Sequence, residues 1–269
     1  MTIKDKITGR LRSLESEYGM KVLYAVEAGS RAWGFASADS DYDVRFVYVR
    51  PRGWYLGVLD RQDTLDFPLD GELDFSGWDF RKALGLFMKS NGALLEWLYS
   101  PLVYHDYRGV GALWRALVPD VMDPRALASH YLGLAKRVWF GELQKDKVTA
   151  KKYLYALRAV LAARWVIQRR VPAPVPFNHL MERGELPGDV AGRASALVGM
   201  KRMSTELSEV GRDPVLHPFL ERELENLGGL VQLMEHRDVG PEVLDAFFNG
   251  VLEDEERLAY QEPELLVLS

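Results

Sequence analysis

GSRAWGFASADSDYDVRF, Gly29 to Phe46, decides how the rest of the chain is read. It follows a short apolar run, LYAVEA (Leu23 to Ala28), whose length and composition predict a buried strand. Gly29 and Ser30 end that strand where a short helix begins. Such a turn presents unpaired backbone N–H groups and the Ser30 hydroxyl to an anion, and a glycine lets backbone approach a ligand closely. About a dozen residues later a second strand opens, DYDVRFVYV. Its alternation puts Val44, Phe46 and Tyr48 on one face and Asp41, Asp43 and Arg45 on the other. Asp41 and Asp43 thus aim to the same side, close enough to share hard divalent cations. Two like charges so near each other are costly without a cation, which is a reason to expect one.

Composition narrows the classes around this stretch. The 269 residues include no cysteine, so disulfides, thiolate zinc sites and cysteine nucleophiles are excluded. The hydrophobic fraction, 48%, is that of a globular protein. No run of about 18 apolar residues stands in the chain, which argues against a membrane span. The opening segment MTIKDKITGRLRS is charged throughout and lacks a signal-peptide core, so a cytoplasmic protein is expected. Basic and acidic residues number 34 and 39, a net charge of -5, which discourages generic polyanion binding. The average conceals a segment, 136–170, with ten basic residues against Glu142 and Asp146, a local +8. That segment suits a triphosphate or a short stretch of RNA backbone, or else is a solvated helix face.

The rest of the chain reads as helices around a few strands. Ile3, Ile7, Leu11, Leu14 and Tyr18 mark an amphipathic first helix that Gly19 stops. Residues 50–71 hold loops and a minor hairpin. GELDFSGW is a third strand, followed by a helix with Asp79 as its N-cap, and ALLEWLY is a helix capped by Asn91. Helices then follow Pro124, begin near Lys147, and resume after Pro214 and Pro241, with PAPVPF as a rigid loop among them. Trp78, Trp97, Trp139 and Trp165 sit in apolar patterns and read as core. The five histidines are scattered without ligand spacing. The expected architecture is α+β: a small mixed-sheet domain over residues 1–120, then a mostly helical domain over 121–269.

A Gly-Ser turn with Asp-x-Asp on the next strand resembles the signature of the nucleotidyltransferase superfamily that includes DNA polymerase beta. Three blocks, GSRAWGFASADSDYDVRFVYV, GWDFRKALGLFMKSNGALLEWLYSP and KKYLYALRAVLAARWV, are similar to the RNA repair pathway DNA polymerase beta family within it. They span Gly29 to Val166, over half the chain. The resemblance implies metal-dependent transfer of a nucleoside monophosphate from a nucleoside triphosphate to an acceptor hydroxyl, with RNA as acceptor and Mg2+ or Mn2+ as cofactor. The alternatives are transfer to a protein or small molecule, and a non-catalytic nucleotide- or RNA-binding module. Asp41 and Asp43 would be catalytic metal ligands, with a third carboxylate on a neighbouring strand. Asp74 and Asp79 both qualify. Asp74 lies within the strand ELDFS and is favoured, because Asp79 is better explained as a helix cap.

Gly29 and Ser30, as the phosphate cradle, are candidate nucleotide contacts, and the adjacent Arg31 either touches phosphate or is simply exposed. Lys151, Tyr155 and Arg158 share a narrow arc of the helix near Lys147 at i, i+4 and i+7, which is either a solvated face or, as the family block there implies, a nucleotide contact. A cation–aromatic–cation face suits a triphosphate and a stacked base. Leu154, Leu157, Leu161 and Trp165 form an adjoining core stripe. Arg45 reads equally as a functional group or as a structural ion pair with Asp43 or Asp41.

Overall fold

Thr2 opens the first helix, α1 (Ile3–Tyr18), with a reciprocal cap. Its hydroxyl accepts the Asp5 N–H at 3.2 Å, and the Asp5 carboxylate accepts the Thr2 N–H at 2.8 Å. Ile7, Leu11 and Leu14 are buried, the stripe that the spacing predicts, and the helix ends at Gly19. The computed structural model describes residues 2–203 and 209–261.

After α1 come β1 (Lys21–Glu27), the short helix α2 (Gly29–Trp33), β2 (Tyr42–Val49), α3 (Arg52–Tyr55), β3 (Thr64–Asp66) and β4 (Leu73–Asp79). Then follow α4 (Phe80–Met88), α5 (Gly92–Leu98) and a last strand, β5 (Val103–Asp106). The remainder is helical: α6 (Val110–Ala116), α7 (Val118–Val121), α8 (Pro124–Val138), α9 (Ala150–Arg169), α10 (Phe177–Arg183), α11 (Gly188–Met203), α12 (Leu216–Gln232) and α13 (Glu242–Gln261). Asp79 and Asn91 cap α4 and α5 as expected, accepting the N–H groups of Arg81 and Leu94 at 2.9 and 3.1 Å. Among the described residues no helix is long and apolar enough to cross a membrane.

The strands form one mixed sheet in the order β3-β4-β2-β1-β5, with β2 and β4 parallel and the other neighbours antiparallel. The fold is thus α+β. One face of the sheet takes the α1 stripe against Val22, Ala25, Val44, Phe46, Tyr48 and Phe75. The other face lies under the helices. Its apolar cluster runs without a break from Leu23 in β1 through Trp114 and Tyr131 to Leu252 in α13, so strands and helices share a core across the 120–121 boundary.

The two-sided cover changes the reading of β2. Alternation between an apolar and a polar face holds only at its start, at Asp43 and Arg45. Further on, Val47 and Val49 on that same face are buried under the helices. Helix α9 packs against α8, α10, α11 and α12 and is buried on most of its circumference, from Tyr153 and Leu154 to Trp165 and Val166. Several elements escape the sequence patterns, among them α3, β5, α6, α7, α10 and α11. Strand β5 is four residues long and half-exposed at the sheet edge. The buried positions of α11 are Val190, Ala194, Leu197 and Lys201, a stripe that ends on a charge.

Gly77 in β4 stands opposite Phe46 in β2, where a Cβ would come within 2.3 Å of the ring. Gly77→Ala should therefore destabilise the protein by about 1–3 kcal/mol through overpacking, read from urea denaturation.

Candidate active site

Parallel pairing of β2 and β4 sets Asp43 directly opposite Asp74. Burial pushes the Asp43 carboxyl above the ordinary range; Arg45 opposes that rise, whereas the charges of Asp74 and Asp41 add to it. Asp41 is exposed in the loop just before β2. Asp79 sits five residues beyond Asp74, about 16 Å along the strand. It is buried, accepts the Tyr55 hydroxyl at 2.8 Å and caps α4. Asp74, and not Asp79, stands across from Asp43.

Arg45 binds both acids. Its Nη2 donates to Asp43 Oδ1 at 2.9 Å and to Asp74 Oδ2 at 2.7 Å. The structure thus makes Arg45 an ion-pair partner of Asp43, and of Asp74 where the sequence had suggested Asp41. Gly29, the first residue of α2, adopts φ +59°, and a Cβ there would lie 2.1 Å from Asp43 Oδ2. Only glycine fits this close approach in that backbone conformation. Ser30 is buried in the second position of α2, whose N-cap is Ala28.

Glu27 was missed by the sequence reading, although an acid inside the apolar run LYAVEA is a visible signal. It is 0% exposed at the end of β1. Its Oε1 accepts the Asp43 backbone N–H at 2.8 Å and its Oε2 accepts the Tyr104 hydroxyl. The Ala28 N–H donates to the Asp43 carbonyl at 2.8 Å. The Asp43 main chain is therefore fixed on both sides. Burial raises the Glu27 carboxyl above the ordinary range, more than the Tyr104 and Asp43 hydrogen bonds lower it.

Arg31 donates to the carbonyls of Ser40 at 2.6 Å and Asp41 at 3.1 Å, and its guanidinium lies 3.6 Å from the centre of the Tyr42 ring. It ties α2 to the loop that presents Asp41. The arc of α9 meets the other end of α2, about 6 Å from Gly29. Tyr155 packs edge-on against Trp33 with 5.0 Å between ring centres, and Lys151 Nζ lies 5.8 Å from the centre of the Tyr155 ring. Arg158 is only 4% exposed, so it is no surface cation. Its guanidinium bonds Glu96 Oε1 at 2.7 Å and the Val175 carbonyl at 3.1 Å, over the Trp33 ring.

Five of the ten basic residues in the segment 136–170 pair with acids of the chain. Arg158, Arg164 and Lys147 pair with Glu96, Glu223 and Glu209, acids supplied from outside the segment. Lys145 and Lys152 both pair with Glu142. From α11, unsuspected in the sequence, the buried Lys201 donates to the Phe35 carbonyl and Arg202 to that of Gly34, at 3.3 and 2.5 Å.

Among the described residues no three His, Asp or Glu side chains converge as a ready-made metal cage. The donor chemistry nevertheless fits a hard divalent cation of the Mg2+ or Mn2+ type. Asp43 and Asp74 are adjacent carboxylates, Asp41 adds a third charge, and a cation already bridges the first two.

The sequence model of the RNA repair pathway DNA polymerase beta family matches residues 3–250. The chain is also 40% identical over 225 residues to the uncharacterized protein YcgL of Bacillus subtilis (strain 168), covering 84% of this chain and 86% of that protein. The chain belongs to the RNA repair pathway DNA polymerase beta family, and this membership supports nucleotidyltransferase activity. A solved nucleotidyltransferase-like protein from Exiguobacterium sibiricum 255-15 is similar over 82% of this chain and 73% of its own, at 12% identity and a TM-score of 0.33. That likeness is too slight to bear on the site.

The raised Glu27 carboxyl has a consequence for stability. Between the ordinary glutamate range and the raised folded value, the folded state binds more protons than the unfolded one. Glu27 therefore makes stability fall as pH rises through that window. Unfolding free energies measured across it should decline less steeply with pH in Glu27→Gln than in the wild type.

Proposed function

We propose that the protein is a metal-dependent nucleotidyltransferase that moves a nucleoside monophosphate from a nucleoside triphosphate to an acceptor hydroxyl, with RNA as the acceptor. The observation that carries the reading is the Asp43–Asp74 pair: two carboxyls opposed on parallel strands, with Gly29 packed against one of them. Family membership supports the reaction class, and the RNA repair setting in the family's description favours RNA.

In this reading Asp41, Asp43 and Asp74 hold Mg2+ or Mn2+, which neutralises charge at the triphosphate and acidifies the attacking hydroxyl. Asp74 is the more open of the paired acids, with 37% of its side chain exposed against 29% for Asp43. It takes the proton of the acceptor hydroxyl. The hydroxyl oxygen forms its bond to the α-phosphorus as the bond to the bridging oxygen breaks, and pyrophosphate leaves with that oxygen. Gly29 and Ser30 bind the phosphates through backbone and hydroxyl, and Lys151 and Tyr155 bind the nucleotide from α9. Arg31 and Arg158 act on the nucleotide site as positioning residues. Arg31 holds the 40–41 carbonyls, and Arg158 holds Trp33 at the end of α2. Catalysis in such a site is mostly orientation and charge stabilisation.

Asp43→Asn should lower transfer of labelled nucleotide by about 10³-fold or more while far-UV circular dichroism stays unchanged. Asp79→Asn, remote from the pair, should retain most of the activity. Wild-type activity in Asp43→Asn would overturn the metal reading. For the acceptor, the protein is incubated with labelled triphosphates, Mg2+ and parallel sets of RNA, protein and small-molecule acceptors. Label should appear in RNA; label confined to the other acceptors would overturn that assignment.

A further inference from the structure

The pair of carboxylates assigned to metal already holds a cation of the protein's own. Arg45 follows Asp43 by two residues on the same face of β2, so its side chain rises beside the acid it neutralises. Nη2 bridges Asp43 Oδ1 and Asp74 Oδ2, and Nη1 donates to the Asp74 carbonyl at 3.0 Å and the Val44 carbonyl at 3.3 Å. Only 19% of the Arg45 side chain is exposed, so solvent screens these contacts weakly. Two of the four bonds join the guanidinium to ionised carboxylates, the stronger kind, and both engage the acids assigned to the metal.

The strands themselves cannot give way. Val44 and Phe46, on either side of Arg45, are 0% exposed in the core under α1. The Asp43 main chain is fixed by Glu27 and Ala28. Exchange at the carboxylates therefore requires rotation of the Arg45 side chain alone, with β2 and β4 left in register.

We propose that Arg45 is an internal counter-cation that competes with the divalent metal for Asp43 and Asp74. Loading of the metal and departure of the guanidinium are one exchange, and Arg45 sets the metal concentration at which the site fills. This inference rests on the reading of Asp43 and Asp74 as metal ligands. A site whose ligands are engaged elsewhere for part of the time binds more weakly in proportion to the competent fraction. Removing the competitor should tighten binding, an effect opposite to that of general damage to the site.

The test uses the nucleotide-free protein and Mn2+ alone, with free ion read by electron paramagnetic resonance. Arg45→Gln should bind Mn2+ about tenfold more tightly than the wild type, the equivalent of about 1.4 kcal/mol. Its melting temperature should be lower than wild type in chelator and should rise further on adding Mn2+. Arg45→Lys keeps the charge without the planar fork and should also bind more tightly than the wild type, which keeps the test decisive if the glutamine variant does not fold. Asp43→Asn should bind at least about tenfold more weakly than the wild type. If Asp43→Asn loses binding while neither Arg45 variant binds more tightly than the wild type, the exchange is wrong and the metal reading stands. Wild-type affinity in Asp43→Asn overturns both.

Discussion

Two carboxylates held opposite each other on neighbouring strands repel, and here neither strand can move to relieve them. The Asp43 backbone donates to Glu27 and accepts from Ala28, while β4 is locked to β2 by seven residue pairs in register. Much of the surrounding chemistry answers that one constraint. Arg45 brings a positive charge to both acids, the Asp43 carboxyl shifts upward, and Gly29 leaves room on the side away from Arg45. Glu27 increases the tension by placing another buried carboxyl behind Asp43. Negative charge accumulated at this cost to stability is what the proposed divalent cation would relieve.

Helix α2 links this charged corner to the helical half. Its last residue, Trp33, donates its indole N–H to Glu96 at 3.0 Å, and the Arg158 guanidinium lies over the same ring, 4.3 Å from its centre. Glu96 and Arg158 close the arrangement with their own ion pair. Buried ion pairs contribute little net stability because desolvation offsets their attraction, but breaking one is expensive. Their effect here is positional: three residues from α2, α5 and α9 have one mutually satisfactory arrangement. Arg158 keeps a buried Nε without a hydrogen-bond partner, a further sign that geometry has been favoured over energy at this point.

The parts of this molecule legible in the sequence are those governed by neighbours along the chain. Periodicity located α1 and β2, an apolar run located β1, and side-chain caps located the starts of α4 and α5. Asp74 could be separated from Asp79 because a cap residue has a local signature. The strand register was not legible, since a slip of one residue would turn Asp74 to the opposite face without changing any local pattern. Nor was the fate of Arg158, because a solvated arginine and one buried against an acid 62 residues upstream look alike on a helical wheel. The ion pairs of Lys147, Arg158 and Arg164 were hidden for the same reason: their acids arrive from distant elements. Glu27 was visible as an anomaly, but its partner Tyr104 lies 77 residues away on a strand too short to announce itself.

The clamp that α11 places on the turn after α2 bears on how the molecule is made. Asp41, Asp43 and Asp74 have all left the ribosome by the time the sheet is complete. The donors to the Gly34 and Phe35 carbonyls are 168 and 166 residues further on. During synthesis those carbonyls must remain with water until the last third of the chain emerges. Contacts across such separations close late, after the loop entropy they require has been overcome. The turn after α2 is thus among the last parts of the protein to settle, and a chain released early would carry the sheet and its acids without the clamp on that turn.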